Sequence, residues 1–210
     1  MKKINNFLVI AIILISFISC NSNSNKNNGD VNGVINEIKN SDDYFPLSTG
    51  MKREYKLIYS TPFKNVDGKA IMRIEDMENI NGKEYYKMIY VYSSIPGLES
   101  ETYFYRKSND GYYALKQING SLSEEYLDFK LPLEIGTSWK SFSPDGEFEY
   151  IVQGIETLEL IDKKYKDCLK ITVKRKEGGS GYMFLYKGIG LIKYFIQIRT
   201  DESYEYTLID

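Results

Sequence analysis

Histidine is absent from this 210-residue sequence. Its absence excludes Ser-His-Asp and Cys-His nucleophile–base pairs and the His-based zinc sites. It also removes the side chain most used as a general base near neutral pH. Cysteine occurs only at Cys20 and Cys168. Two cysteines allow at most one intrachain disulfide, so the fold must rest chiefly on its core. A dominant charge is also lacking: 27 basic residues face 29 acidic ones. No basic stripe interleaved with aromatics occurs, so no nucleic-acid partner is expected. What is plentiful is tyrosine, with 19 Tyr beside 10 Phe and one Trp. Asn, Lys and Ile are abundant too, a pattern that AT-rich codons alone would produce.

The N-terminus has three parts. Lys2 and Lys3 are followed by a run from Phe7 to Ile18 that only Ser16 interrupts. As a helix this run would span about 18 Å. A bilayer core is about 30 Å thick, so the run suits a signal peptide better than a membrane span. It closes on Phe17-Ile18-Ser19-Cys20, with a small residue directly before the cysteine. This segment resembles the lipobox of bacterial lipoprotein precursors, with Phe17 where Leu is more usual. The resemblance implies cleavage before Cys20 and lipidation, including a palmitate-type acyl chain, on that cysteine. Two or three chains on one residue satisfy the two-signal requirement for stable anchoring. The expected address is therefore the cell membrane or the outer membrane, with the domain exported. Asn21 and Ser22 follow the cysteine, with no Asp as an inner-membrane retention signal, which favours the outer membrane where one exists.

Residues 1–19 are thus read as a signal peptide and 20–43 as lipidated cysteine plus tether. Cleavage removes two lysines, leaving 25 basic and 29 acidic residues. Asn21 to Asn28 contains only Asn, Ser and Lys and cannot bury apolar surface. Val31, Val34, Ile35 and Ile38 keep helical spacing, weakened by Gly33.

From Tyr44 to Asp210 the signal is β. Turn dipeptides recur at Asp67-Gly68, Asn81-Gly82, Pro96-Gly97, Asp110-Gly111, Asn119-Gly120 and Asp145-Gly146. Between them, apolar and polar residues alternate. Tyr55, Leu57 and Tyr59 alternate with Glu54, Lys56 and Ile58; Leu169, Ile171 and Val173 with Lys170, Thr172 and Lys174. Ile192, Tyr194, Ile196 and Ile198 alternate with Lys193, Phe195, Gln197 and Arg199. Side chains in a strand point to opposite faces, so these are sheets with one wet face, a pattern of antiparallel sheets. The connections are too short for helical crossovers. The expected fold is an all-β antiparallel meander of two related sheets, as a sandwich or an open barrel.

The chain also echoes itself. Phe45-Pro46-Leu47-Ser48-Thr49-Gly50 is matched by Leu131-Pro132-Leu133-Glu134-Ile135-Gly136, with Tyr55 and Trp139 in the strands that follow. Ile80-Asn81-Gly82-Lys83-Glu84-Tyr85 is matched by Ile161-Asp162-Lys163-Lys164-Tyr165, and Tyr103-Phe104-Tyr105-Arg106 by Phe184-Leu185-Tyr186-Lys187. Two repeats, 44–130 and 131–210, would follow. Pro sets φ before each strand and Gly permits the bend. Phe45 to Tyr55, Lys83 to Tyr85 and Gly188-Ile189-Gly190 also resemble a loose group of bacterial lipoproteins with a Phe-Pro-Leu-x-x-Gly lead-in. Arg53 stands where that group often has Trp. The resemblance implies a β fold and a surface location, and no activity.

No catalytic, cofactor or metal site is assigned. Gly188-Ile189-Gly190 lacks the third glycine and the following helix of a dinucleotide loop. Gly178-Gly179-Ser180-Gly181 reads as a hairpin loop. The acid pairs Glu75-Asp76, Glu99 with Glu101, and Glu124-Glu125 could include a glycosidase pair, but neighbours in a strand face apart and read as solvated edge charge. Asp42 and Asp43, near Asp30, lack calcium-loop spacing. Cys168 falls on the face of Lys170 and Thr172 and reads as a half-buried apolar residue. Doublets such as Tyr85-Tyr86 and Tyr112-Tyr113 put one ring on each face. The expected role is a surface binding or structural module contacting protein or glycan. The alternatives are a carrier of a lipid or other apolar ligand in a curled-sheet cavity of about 300 to 1,000 Å³ and, more weakly, a carboxylate hydrolase.

Overall fold

The computed structural model describes residues 43–95 and 97–209. Cys20, the tether, Asp30, Asp42 and the Val31–Ile38 pattern lie outside the described residues. Thirteen strands make up the described chain: β1 (Lys52–Ser60), β2 (Asn65–Ile80), β3 (Lys83–Ser93), β4 (Glu101–Lys107), β5 (Gly111–Ile118), β6 (Ser121–Leu122), β7 (Tyr126–Lys130), β8 (Ser138–Ser143), β9 (Gly146–Leu160), β10 (Lys163–Arg175), β11 (Ser180–Tyr186), β12 (Gly190–Arg199) and β13 (Glu202–Leu208).

The fold is all-β and antiparallel, but the two expected sheets are one. Strand order runs β6-β5-β4-β3-β2-β1-β13-β12-β11-β10-β9-β8, with β7 also on β5. Two meanders are joined where the first strand pairs with the last, Tyr55 opposite Leu208 through Ser60 opposite Ser203. The short 131–137 link connects β7 to β8, which sit at opposite ends of this order. The sheet must therefore curl until its ends meet. It does not close into a barrel. At the seam the Trp139 indole donates to the Asp128 carbonyl oxygen at 2.8 Å.

Period-two alternation decides which residues fill the inside. Tyr55 and Leu57 of β1 are buried while Lys52 and Lys56 are exposed. In β12, Ile192, Tyr194, Ile196 and Ile198 are buried against their outward neighbours, as the pattern required. A chain of rings crosses the seam. Tyr90 meets Tyr103 at 5.8 Å between centroids, Tyr103 meets Tyr105 at 6.1 Å, and Tyr105 meets Phe45 at 5.3 Å. Phe45 reaches Phe129 at 5.0 Å, Phe129 reaches Trp139 at 5.9 Å, and Trp139 stacks on Tyr150 at 4.9 Å. Tilted and edge-on pairs of this kind each add about 0.5–1.5 kcal/mol beyond area burial.

The two Pro-Leu-x-x-Gly segments make the same three backbone bonds. Gly50 N donates to Ile74 O, Ile74 N to Met51 O, and Met51 N to Ser48 O. Gly136 N donates to Val152 O, Val152 N to Thr137 O, and Thr137 N to Glu134 O. Both glycines hold positive φ, 81° and 91°. By this register Trp139, opposite Tyr150, occupies the place that Arg53, opposite Met72, holds in the first half.

Most of the turn dipeptides fall between strands, with one correction. Asp67-Gly68 lies inside β2, and the β1–β2 turn is Thr61–Lys64, closed by Thr61 N donating to Lys64 O. Gly68 is needed for a close approach instead: a Cβ there would meet Ser93 O at 2.5 Å. Gly188 and Ile189 lie in a turn, Gly190 opens β12, and Leu191 to Ile198 run in β12 as read.

Candidate functional site

The inward positions of the first half end in charge. Alternation places Tyr112, Ala114 and Lys116 of β5 on the inner face, and all three are buried. Lys116 Nζ donates to Glu101 Oε1 at 2.6 Å and to both Asp145 carboxylate oxygens at 3.1 Å. Glu101 also accepts from the Tyr92 hydroxyl at 2.7 Å, and Arg175 Nη2 donates to the Asp145 carbonyl at 3.1 Å. Burial pushes the Asp145 carboxyl up to about 6, with the Lys116 charge opposing the rise. Deeper inside, Asp128 accepts from the Tyr105 hydroxyl at 2.8 Å. Burial raises its carboxyl to about 7, the Tyr105 bond opposes this, and the Asp145 charge adds to the rise. Asp128 Oδ1 and the buried Tyr126 hydroxyl have no hydrogen-bond partner. Burial likewise raises the interior phenols Tyr90, Tyr103, Tyr105 and Tyr150 well above their usual range, which keeps them neutral donors.

Of this cluster, the sequence points only to Glu101, as a member of an acid pair, and to Asp145, as turn chemistry; it does not single out Lys116 or Asp128. A signal existed for Lys116, two residues after two inward positions on one strand. None existed for Asp128: a bulge between Tyr112 and Tyr113 in the β5–β7 ladder buries it beside Phe129.

Among the other acids of the flagged pairs, Glu125 departs from a solvated-edge reading. Glu125 accepts a two-pronged bond from Arg106, Nε at 2.6 Å and Nη2 at 2.8 Å, and also binds Lys83 and the Tyr85 hydroxyl. These contacts, led by Arg106, hold its carboxyl down to about 2. Tyr85 is also part of a small outer cluster with Phe104 and Leu115. Glu75 pairs with Arg73 and Lys87 on the surface, while Glu99 and Glu124 are exposed. Asp43 accepts from the Tyr112 hydroxyl at 2.6 Å and pairs with Lys107, which ties the start of the domain to β4 and β5. Cys168 is fully buried rather than half-buried. The register shift between Tyr165 and Cys168 turns it in, its thiol donates to Tyr165 O at 3.2 Å, and burial pushes that thiol up to about 11. Tyr112 and Tyr113 do split between faces: the first is buried, and the second stacks under Arg106 at 4.4 Å.

The outer face of the second half carries a groove of about 660 Å³ across β9 to β12. Its lining includes Glu149, Thr172, Lys174, Ser180, Gln197 and Arg199. Its size falls in the range expected of a carrier cavity, but it opens on the outer face, and its polar side chains share the lining with the apolar Ile151 and Val173. The glycines at 179 and 181 set its floor. A Cβ on Gly179 would meet Gln197 O at 2.2 Å, and one on Gly181 would meet Phe195 O at 2.0 Å. One outward step along β11 and β12 from Ser180 and Gln197 stand Tyr182 and Phe195, which face each other in register. Their rings stack at 5.4 Å and 26°, with Phe184 edge-on to Tyr182 at 5.5 Å. Lys170 lies over Phe184 and Tyr182, at 5.6 and 6.0 Å. This platform was not singled out among the many tyrosines, because period two alone does not say which outward rings adjoin a groove.

No family model matches the chain, and no curated protein does. Two crystal structures resemble it. One, assigned as an exported protein with a YmcC-like fold from Bacteroides fragilis, is 11% identical with a TM-score of 0.40, over 77% of this chain and 94% of that one. The other, assigned as a lipoprotein from Parabacteroides distasonis, is 12% identical with a TM-score of 0.36, over 79% of this chain and 96% of that one. The likeness is distant and assigns no activity.

Proposed function

We propose that this chain is an exported lipoprotein, anchored through acylated Cys20, whose β domain is a non-enzymatic binding module working through the outer-face groove of β9 to β12. One observation carries the choice of surface. The interior is occupied by the ring chain from Tyr90 to Tyr150, whereas the outer groove of about 660 Å³ is open beside a stacked aromatic pair. The interior acids support no hydrolase reading: Asp145 is 3% exposed and locked to Lys116, and Asp128 is 1% exposed. The lipobox supports the anchor, and Asn21 and Ser22 favour the outer membrane where one exists.

Two experiments test this reading. Metabolic labelling with palmitate should mark the intact chain and not its Cys20→Ser variant; equal labelling removes the anchor. A Ser180→Cys variant carrying a benzophenone label in the groove should crosslink a ligand on cells. The same label at Ser121→Cys, in the β5–β6 hairpin, should not. Equal or no capture at both positions would show that the groove is not the working surface.

A further inference from the structure

We infer that the ligand of this groove is a short oligosaccharide of low charge, hydrogen-bonded along Ser180, Gln197 and Thr172 and packed at one end against the Tyr182–Phe195 pair that adjoins the groove. This rests on the binding-module reading above. Four features carry it.

The first is the platform. Tyr182 and Phe195 lie in register on neighbouring strands, 26° from parallel, and both are half-buried. Phe184 and Lys170 brace the tyrosine from one side. Two braced, half-buried rings that cover each other's faces offer rigid contact area at small entropic cost along the sides they leave accessible. The C–H face of a pyranose is a flat apolar partner of matching size.

The second is the donor and acceptor set. Ser180 supplies a hydroxyl that both donates and accepts; the Thr172 hydroxyl, which donates to Ile151 O at 3.4 Å, is left to accept; and Gln197 supplies a carbonyl and an amide. The Gln197 amide already donates to Thr200 O at 2.8 Å, which fixes its orientation and leaves its carbonyl oxygen to accept. Sugar hydroxyls need such mixed partners. A fatty acyl chain does not.

The third is charge. Lys174 and Arg199 line the groove, and Glu149 lines it with them. Glu149 is itself tied to Lys140 at 2.8 Å, and Arg199 lies 3.9 Å from Glu202. The charges are mixed and largely answered within the protein. Nucleic acid, whose affinity comes from phosphate neutralisation, finds no basic track here. The fourth is shape. Crossing from β9 to β12 spans three interstrand steps, about 14 Å at about 4.8 Å each, the reach of a short oligosaccharide and not of a single sugar.

The test is calorimetric titration of the intact chain in detergent with maltotetraose, cellotetraose and chitotetraose. Tyr182→Ala, Tyr182→Phe and Gln197→Ala are titrated in parallel, each checked by its melting curve. At least one sugar should bind. Tyr182→Ala should weaken it about tenfold or more, Gln197→Ala about fivefold or more, and Tyr182→Phe, which keeps the ring, about threefold or less; base stacking on aromatic rings loses comparable amounts on truncation. Binding that Tyr182→Ala leaves unchanged overturns the inference. So does the absence of sugar binding while the Ser180→Cys crosslinker captures a polypeptide; the groove then remains the working surface with a protein as ligand. If no sugar binds and the crosslinker captures nothing, both readings fall together.

Discussion

Replacing Asp128 by Asn should make the protein more stable at alkaline pH and flatten its stability profile. Asp128 is 1% exposed, its Oδ2 accepts one bond from Tyr105, and its Oδ1 has no partner. Its folded carboxyl titrates at about 7, above the ordinary aspartate value, because burial disfavours the charge. In the unfolded chain it titrates near the ordinary value, about 3.9. Between roughly pH 4 and pH 7 the native state therefore holds a proton that the unfolded state has lost. The unfolded state binds fewer protons in that window, so stability falls as pH rises. The loss is about 1.4 kcal/mol per pH unit, with a ceiling of about 4 kcal/mol by pH 8. Asn is never charged and keeps a carbonyl for Tyr105, but its amide needs an acceptor in a buried place, which costs about 1–3 kcal/mol when unmet. The net expectation is a gain of about 1–3 kcal/mol at pH 8 and no gain, or a small loss, at pH 4.5. Urea unfolding at half-unit steps from pH 4.5 to 8.5 reads this directly. Asp145, raised to about 6, should leave a residual decline of the same sign. Glu125 acts in the opposite sense: held down to about 2, it stabilises above the ordinary glutamate value and fades only as pH falls toward 2, outside the window. Parallel pH profiles for the two proteins would refute the reasoning.

Other outcomes follow from the same interior. Lys116→Met strands Glu101 and Asp145 without their cation and should cost about 3–5 kcal/mol; adding Asp145→Asn should recover part of that in a double-variant unfolding series. Trp139→Ala removes a core ring at the seam and the donor to Asp128 O, and should cost about 3–5 kcal/mol in urea melts. Gly181→Ala forces a Cβ onto Phe195 O and should loosen the β11–β12 ladder, seen as faster amide exchange at Tyr182 and Phe195 with the distal β2–β3 hairpin unchanged. Cys168, fully buried with its thiol pushed up to about 11, should take up no maleimide at pH 7 until denaturant is added.

Much of the architecture was legible because one face is wet. Strands β1, β10 and β12 show the tyrosine, leucine and isoleucine alternation that fixes inside and outside, and the paired Pro-Leu-x-x-Gly segments announce equivalent turns. The failures have local causes. Asp67-Gly68 carries a turn signature, yet its glycine answers a close approach to Ser93 and Ile95 that no local pattern encodes. Ile161, at the β9–β10 tip, holds φ of 54° where an Asn or Gly would be expected. The echo with Ile80 is therefore one residue out of step with the hairpins, in which Leu160 matches Ile80. The interior ion cluster joins residues from the ends of β4 and β5 to the β8–β9 turn, across the seam. Only the curl of the whole sheet brings them together, so no window of sequence could show it.

The pairing of the first strand with the last has a temporal consequence. Nearly every other ladder joins strands close in sequence and can zip as soon as its two strands are free to fold. β1 has β2 on one side early, but its other edge must wait for β13, whose last paired residue is Leu208. Until then an unpaired strand with alternating Tyr55, Leu57 and Tyr59 stands open to a second copy, a hazard of edge strands. Long-range closure of this kind is slow relative to hairpin formation. The most vulnerable moment of this protein's life is thus the interval before its final hairpin arrives, and the charges at Lys52, Glu54 and Lys56 are placed on the strand that has to survive it.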